Sequence, residues 1–511
     1  MIDTKALRQK ILDMAIRGKL VPQNPNDEPA SVLLARIRAE KQQLIKEGKI
    51  KKDKNDSVIF KGDDNRYYEK VGSEVKDITD ELPFEIPDNW VWIRLGYIVD
   101  FSQSDTVAAS QINPSSWVLD LEDIEKDSGK LLQRKTFGET QSKSDKHCFF
   151  KGNVLYSKLR PYLNKVIVAD ADGYCTTEIL AFNFGQHIAA QYAKTFFMSP
   201  YFVDYAMDGA YGVKMPRIGS HRGNSALMPV PPYTEQIHLV NRIDELFEQI
   251  DIIEQNQTDI DTLYDEFRKR TLTLAIQGKL VPQDPNDEPA SVLLERIRAE
   301  KKAKLGKKYV DSYIYKGDDN CYYEHIAGRA QDELVEVPFD IPYGWSWCRL
   351  AIFAQVLGGK RIPAGRQLTN ENTGHYYIKV SDMKENTVCL DKLQFVPTDI
   401  YPTISRYIIN KEDVYITVAG TIGRVGTIPN ELDGANLTEN ADRIVIDEID
   451  QHWLVKCLLS DVIQEQIKEA TTKVGQPKLA IARIEKFLIP LPPLAEQKRI
   501  VAKINEIFAM L

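Results

Sequence analysis

The chain has 511 residues, with 43% hydrophobic and 27% charged side chains and a formal net charge of −8 at pH 7. This length exceeds that of one ordinary hydrophobic core, so we expect two or three domains, and no apolar run approaches the roughly 18 residues of a membrane span. The acidic balance excludes a uniformly basic nucleic-acid binder and leaves room for DNA contacts only on local basic loops.

The cysteines, the histidines and the N-terminus indicate the compartment and argue against bound metal. Six cysteines lie far apart without a Cys-x-x-Cys pair, and the seven histidines lack the spacing of metal ligands. Residues 1–5 lead directly into a helical pattern without the segments of a secretory signal. We therefore predict a cytoplasmic protein with no metal site and no membrane contact.

The predicted elements begin with a helix and a polar segment. Apolar residues at helical spacing precede Gly18, a short helix is predicted over 31–47, and we interpret the lysine run at 46–54 as a solvated face. A Trp-x-Trp-x-Arg-Leu motif at 90–95 then opens a region, 96–228, whose strand-like segments predict a mixed or mainly β structure. Pro231-Pro232 closes this region, and the apolar spacing after it predicts a helix of about 60 Å from 234 to about 275.

The same order of elements then returns. Residues 15–41 reappear as 275–301 with three substitutions, and the tryptophan and Pro-Pro-x-x-Glu-Gln motifs return at 345–350 and 492–497. Between these repeats, 96–228 and 351–488 share little readable sequence. The second long helix stops at Leu511, and its missing half matches the segment before Gly18, so the duplication is circularly permuted.

The residues give little support for catalysis. Gly358-Gly359-Lys360 lacks the rest of a nucleotide-binding loop, and we interpret Pro231-Pro232-Tyr233 as a proline stop before a helix because Val230 replaces the polar residue of a methyltransferase motif. A nuclease-like group could be assembled from Asp120, Glu122, Asp123 and Lys126, but nothing in their spacing requires it. A cryptic nuclease or methyltransferase site, or an adaptor that binds only protein, remains the alternative to a DNA-binding chain.

Compact basic and polar loops are the candidate DNA contacts. Lysine and arginine suit phosphate and guanine, asparagine suits adenine, and glycine allows close backbone approach. The competing interpretation is a set of strand ends and turns whose bases pair with local acids. The candidate residues are Tyr156, Ser157, Lys158, Arg160, Tyr162, Asn164, Lys165, Lys214 and Arg217 in the first region and Lys360, Arg361, Arg366, Thr421, Arg424, Gln476 and Lys478 in the second.

Together these features resemble the specificity subunits of type I restriction-modification systems. The resemblance covers nearly the whole chain. It rests on the Trp-x-Trp-x-Arg-Leu motif that opens each variable region, the Pro-Val/Leu-Pro-Pro-x-x-Glu-Gln motif that closes it, the helix that follows, and the duplicated Gly-Lys-Leu-Val-Pro-Gln segment.

The resemblance implies a non-catalytic DNA-binding subunit. Each target-recognition domain would read one half of a bipartite double-stranded DNA site, and the helices would set the spacer and dock two methyltransferase subunits. Motor-nuclease subunits would join for cleavage. The chain itself would hold no cofactor, because S-adenosylmethionine, ATP and magnesium would belong to the partner subunits.

The predicted fold class is α+β, with two globular target-recognition domains, mixed and mainly β, separated by long antiparallel helices in a circular pseudo-twofold arrangement. The predicted domains are an N-terminal helical segment (1–87), target-recognition domain 1 (88–233), a central spacer helix (234–276), a repeated polar and helical segment (277–342), target-recognition domain 2 (343–493) and a C-terminal spacer helix (494–511).

Overall fold

The computed structural model describes residues 1–48, 57–102, 105–140, 142–212, 214–472 and 476–510. Most of the lysine run at 46–54 and Gly475 lie outside these residues. The chain divides into two compact units, 1–258 and 259–511, which we call the first and second unit. Among the helices of the described ranges, none is long and apolar enough to cross a membrane.

Within its described residues, the first unit contains six complete helices, the first part of a seventh, and thirteen strands. Its helices are α1 (Thr4–Ile16), α2 (Ala30–Lys46), α3 (Phe137–Thr140), α4 (Ala190–Met198), α5 (Pro200–Asp208), α6 (Ser220–Asn224) and the first part of α7 (Tyr233–Ile276). Its strands are β1 (Ser57–Lys61), β2 (Tyr67–Val71), β3 (Glu74–Asp77), β4 (Val91–Arg94), β5 (Thr106–Val107), β6 (Trp117–Leu119), β7 (Lys135–Thr136), β8 (Lys146–Phe149), β9 (Val154–Ser157), β10 (Val166–Val168), β11 (Gly173–Cys175), β12 (Ile179–Phe182) and β13 (Leu227–Val230).

The second unit begins within α7. Its other helices are α8 (Ala290–Leu305), α9 (Leu350–Phe353), α10 (Tyr401–Ile404), α11 (Gln451–Leu458), α12 (Asp461–Ala470), α13 (Ile481–Ile484) and α14 (Leu494–Ala509). Its strands are β14 (Ser312–Lys316), β15 (Tyr322–Ile326), β16 (Glu333–Val335), β17 (Ser346–Arg349), β18 (Ala354–Gly358), β19 (Tyr376–Ile378), β20 (Met383–Lys384), β21 (Thr387–Val388), β22 (Gln394–Phe395), β23 (Ile408–Ile409), β24 (Val414–Thr417), β25 (Val425–Gly426), β26 (Ala435–Leu437), β27 (Ala441–Ile446) and β28 (Leu488–Leu491).

Each unit has a core in which two helix pieces of different origin take part. In the second unit, Leu272, Ala275 and Ile276 at the end of α7 share one hydrophobic cluster with residues of α14. In the first unit, α1 supplies Leu12 and Ala15 to a cluster that also contains residues from the start of α7. In the first unit, α1 therefore packs as the end of α7 packs in the second unit. A circular permutation predicts this correspondence.

The two variable regions share a strand topology although their sequences differ. In the first, β9 pairs antiparallel with β10 and β12, and β11 runs parallel to β6. In the second, β24 pairs antiparallel with β25 and β27, and β26 runs parallel to β19. The mixed helix-and-sheet structure with two such regions confirms the predicted α+β class. The antiparallel, circular placement of the helices stays a prediction.

The repeated motifs form a buried frame at the start of each long helix. The Trp90 indole N–H donates to Glu235 at 2.9 Å, and Gln23 donates to the other carboxylate oxygen of Glu235 at 2.5 Å. Trp345 and Gln283 bind Glu496 in the same way, at 2.9 and 2.7 Å. Burial raises the pKa of both glutamates. The tryptophan and Pro-Pro-x-x-Glu-Gln motifs therefore hold each variable region against its helix.

Candidate nucleic-acid interface

In the first unit, the loop between β9 and β10 lies beside a segment that is distant in sequence. Leu159 forms a β-bridge with Arg217, and the Arg160 N–H donates to the Pro216 carbonyl at 2.7 Å. Ile218 N–H donates to the Lys158 carbonyl at 3.2 Å. The structure therefore brings together the two predicted segments of this region, 156–165 and 214–217.

The second unit repeats this arrangement at the loop between β24 and β25. Ala419 forms a β-bridge with Lys478, and the Leu479 N–H donates to the Val418 carbonyl at 3.0 Å. The predicted segment that begins at Lys360 lies beside this loop. The N–H of the preceding residue, Gly359, donates to the carbonyl of Ala441 at 3.2 Å, at the start of the neighbouring strand β27. A β-carbon at Gly359 would overlap the backbone of Thr438, so only glycine fits this approach.

The loop of the first unit has an unusual backbone. Arg160 and Asn164 have φ values of 51° and 50°, in the left-handed region that most residues with a β-carbon avoid. Pro161 is buried between them. The hydrogen bond from Arg160 to Pro216 holds the first of these conformations in place. The glycines at 420 and 423 carry the positive φ values in the second loop, at 76° and 85°.

Three predicted contacts of the first region are buried, which corrects their assignment to DNA. Tyr156 is 3% exposed and packs its ring against Phe197 at 5.0 Å, and burial raises the pKa of its phenol. The Ser157 hydroxyl donates to the Leu159 carbonyl at 2.8 Å. The Asn164 amide donates to the Met198 carbonyl at 2.9 Å. These side chains support the loop from within.

Four predicted cations already have protein partners. Arg217 forms a bidentate pair with Glu178, at 3.0 and 3.1 Å. Lys165 donates to the Leu121 carbonyl at 2.5 Å, and desolvation lowers the pKa of its amine. In the second region, Arg361 pairs with Glu439 at 2.5 Å and Arg366 pairs with Asp399. The pairing with local acids that the sequence left open as an alternative is therefore present at Arg217, Arg361 and Arg366.

The other predicted residues leave polar groups accessible. Among the described residues, no side-chain hydrogen bond or ion pair engages Lys158, Arg160 or Lys214, and Arg160 Nε is buried without a partner. Tyr162 is 47% exposed. In the second region the exposed side chains include Lys360, Thr421, Arg424, Gln476 and Lys478. Arg424 donates one hydrogen bond to the Met383 carbonyl at 3.2 Å, and Lys360 Nζ lies 5.8 Å from the centroid of the Tyr407 ring.

One charged residue beside the candidate DNA contacts of the second unit was not predicted from the sequence. Asp442 on β27 is only 5% exposed, and burial raises the pKa of its carboxyl to about 6, against an opposing effect of Lys478. Its strand partner Gly358 has no side chain to cover it. An aspartate next to Arg443 within the otherwise apolar strand Ala441–Ile446 is the sequence signal that would have identified it.

The nuclease-like carboxylates have structural roles. Asp123 is fully buried and accepts hydrogen bonds from the Asp120 N–H at 2.8 Å and the Gln133 amide at 2.8 Å. Lys135 forms ion pairs with both Glu122 and Asp123, at 2.7 and 2.9 Å. In the part of the chain that the structure describes, no group of three or more His, Cys, Asp or Glu residues is placed to hold a metal ion.

Comparisons with known proteins agree with this architecture. A family model described as "Type I restriction modification DNA specificity domain" matches residues 342–510. The EcoAI specificity subunit of Escherichia coli is 29% identical over 98% of this chain and 88% of its own length. The EcoEI specificity subunit of the same organism is 27% identical over 99% of this chain and 89% of its own.

A solved structure shares the fold. It comes from a study of complex assembly and conformational transition of the type I R-M system, and it aligns with a TM-score of 0.53 and 18% identity over 84% of this chain and 92% of that one. The relatives span both repeats, and the family model covers the second variable region with its closing motif and helix. Over nearly its whole length the chain is similar to specificity subunits of type I restriction enzymes, and residues 342–510 match the model of their DNA specificity domain.

Proposed function

We propose that each unit reads one half of a bipartite double-stranded DNA site through its hairpin loop and the segment bridged to it. The observation that carries this proposal is the equivalent position of the two loops, 158–165 and 418–424, after the topologically matching strands β9 and β24. Both loops carry cations at the end of a sheet, and their side chains differ. Equal placement with different residues is what two half-sites of different sequence require.

Within this proposal, the target-recognition domains span 88–233 and 343–493, and the contacts come from the accessible residues. In the first domain these are Lys158, Arg160, Tyr162 and Lys214. In the second they are Lys360, Thr421, Arg424, Gln476 and Lys478. Arg217, Arg361 and Arg366 would have to exchange their carboxylate partners for phosphate or base before they contact DNA.

The helices and the partner chains complete the proposal. The segments 234–276 and 494–511, together with the N-terminal segment 1–87, set the spacer and dock two methyltransferase subunits, and motor-nuclease subunits join for cleavage. S-adenosylmethionine, ATP and magnesium bind to those partners, and this chain acts without a cofactor. Because its target is DNA of the host cell or DNA entering it, the protein acts in the cytoplasm.

Two substitutions at opposite ends of β9 test the surface of the first unit. Arg160→Ala should weaken binding to the cognate site by about 1–3 kcal/mol if the guanidinium reads a base. Lys151→Ala is the matched control, because this exposed lysine precedes β9 at the end opposite the loop. We would measure fluorescence anisotropy of the assembled complex on DNA carrying the site identified by sequencing methylated positions. Unchanged affinity and sequence preference for Arg160→Ala would remove it from the surface.

A further inference from the structure

The segment that is bridged to the loop after β9 carries two exposed apolar side chains that the proposed function does not use. Tyr211 is 60% exposed and Met215 is 48% exposed. Single apolar side chains are common on protein surfaces, so exposure alone indicates no function. The way in which Met215 is held, the charges beside it and its counterpart in the second unit are more informative.

The main chain at Met215 is fixed by hydrogen bonds. The Met215 carbonyl accepts a hydrogen bond from the Arg217 guanidinium at 3.3 Å, and this guanidinium is itself paired with Glu178. The next carbonyl along the chain, that of Pro216, accepts from the Arg160 N–H at 2.7 Å. The Met215 side chain therefore projects into solvent from a backbone that is already in place. A contact residue held in this way loses little entropy when it binds.

Cations without protein partners lie in the same two segments. Lys158 and Arg160 belong to the loop after β9, and Lys214 directly precedes Met215. Among the described residues, no side-chain hydrogen bond or ion pair engages these three cations. Such cations suit the phosphates of DNA, which flank the edges of the bases. The one apolar group that a base pair presents in the major groove is the 5-methyl group of thymine.

The second unit has a polar residue at the equivalent position. The β-bridges at Arg217 and Lys478 fix the correspondence between the two bridged segments. In both segments, the carbonyl of the bridged residue accepts a hydrogen bond from the N–H of the residue six positions earlier, at 3.0 and 3.1 Å. Counting back two residues from each bridge gives Met215 and Gln476, and a proline follows both.

Met215 and Gln476 can read different groups of a base pair. Both side chains are exposed. A glutamine amide can form two hydrogen bonds with the N6 and N7 atoms of adenine, whereas a methionine side chain offers only apolar contact at a base edge. The same place in the two units therefore carries two chemically different means of distinguishing bases.

We propose that Met215 determines specificity in one half-site by packing its thioether side chain on the 5-methyl group of a thymine in the major groove. The inference rests on the proposed function, and it names one chemical group of the DNA that the first unit reads. In the second unit, Gln476 replaces this apolar contact with hydrogen bonds.

DNA in which uracil replaces single thymines tests this contact, because uracil lacks only the 5-methyl group. The assembled complex would be titrated by fluorescence anisotropy with duplexes that carry the site identified by sequencing methylated positions. Each thymine of both half-sites, on either strand, would be replaced in turn. Replacement at one position should weaken wild-type binding about threefold to tenfold, as expected for the loss of one buried methyl group.

Variants of Met215 connect this loss to the side chain. Met215→Ala should bind thymine DNA more weakly by a similar factor, and uracil at the sensitive position should then cause no further loss. Met215→Leu should retain most of the sensitivity, because it keeps an apolar side chain. Phe150→Ala is the matched control, since Phe150 is 57% exposed and precedes β9 at the end opposite the loop. This variant should bind and respond to uracil as the wild type does.

Two results would overturn the inference. One is a wild-type complex that binds its site specifically and loses no affinity on any uracil duplex. The other is a Met215→Ala variant that keeps the wild-type response to uracil, which would place the methyl contact at another residue. A wild-type complex that binds its site no more tightly than a scrambled duplex would instead contradict the proposed function.

Discussion

Asp442 is a buried carboxylate beside the surface that we propose reads DNA in the second unit. Among the described residues it has no hydrogen-bond donor, and burial raises the pKa of its carboxyl to about 6, from 3.8 when unperturbed. The acid is therefore tolerated in the fold mainly in its neutral form. Its contribution to stability is present below about pH 3.8 and is lost as the pH rises through 6.

Asp442→Asn should accordingly raise the free energy of unfolding at pH 8, because the substitution removes the cost of burying a charge. The gain should be about 1–3 kcal/mol, and it should shrink to nothing as the pH falls to about 4. Urea denaturation of both proteins across this pH range measures the difference. A difference that is independent of pH would show that the Asp442 charge is not the cause.

Single residues also show where sequence reasoning reaches its limit. Lysine and arginine near a proline turn marked the segment 156–165 as a candidate, but Tyr156 and Asn164 of this segment are buried. Their burial depends on Phe197 and Met198, which are more than thirty residues away in sequence. The Arg217 pair with Glu178 is equally non-local. Composition therefore locates a basic loop, and only packing decides which of its side chains face solvent.

At the level of elements, two equivalent glycines end the helices that precede the polar segments. Gly18 follows α1 with φ of 66°, and Gly278 follows α7 with φ of 67°. The left-handed conformation closes each helix end. Each glycine also lies against a proline, Pro87 or Pro342, where a β-carbon would overlap the ring. The repeated Gly-Lys-Leu sequence is thus a joint between the helix and the frame.

Gly18→Ala should lower the free energy of unfolding by about 2–4 kcal/mol, since it adds a steric overlap with Pro87 to the backbone strain. Gly72→Ala separates the two causes. Gly72 has φ of 60° and open space around its α-carbon, so only the strain applies, at about 1–2 kcal/mol. Thermal and chemical denaturation compare the variants. Equal losses for both would show that the contact with Pro87 is unimportant.

The elements differ in how far the sequence predicted them. Apolar spacing after Pro231-Pro232 predicted one long helix from 234, and the structure has α7 from Tyr233 to Ile276. The tryptophan and Pro-Pro-x-x-Glu-Gln motifs recur at matching places in the sequence, and in the structure they form the same frame in both units. The common topology of β9 and β24 was beyond prediction. Strand pairing depends on backbone hydrogen bonds and buried shape, and both can be kept while almost every side chain changes.

For the whole molecule, the two units repeat one plan with different contents. Each unit contains two helix pieces from different parts of the chain, which are α1 and the start of α7 in the first unit and the end of α7 and α14 in the second. Each also contains a buried Trp–Glu frame, a small aromatic sheet (β1–β3 or β14–β16) and a variable region of matching topology. The frame motifs and the first hairpin turn of the sheet recur nearly unchanged in the two units, and the loops of the variable regions differ. The constant frame is thus separate from the variable regions, which we propose read the DNA sequence.

The exchange of one variable region tests this separation most directly. Residues 96–228 would be replaced by the corresponding region of another specificity subunit with a known target, and the methylated positions of a host carrying the complete system would be sequenced. We expect one half-site to change to that of the donor, while the other half-site and the spacer are retained. A change in both half-sites, or in neither, would contradict it.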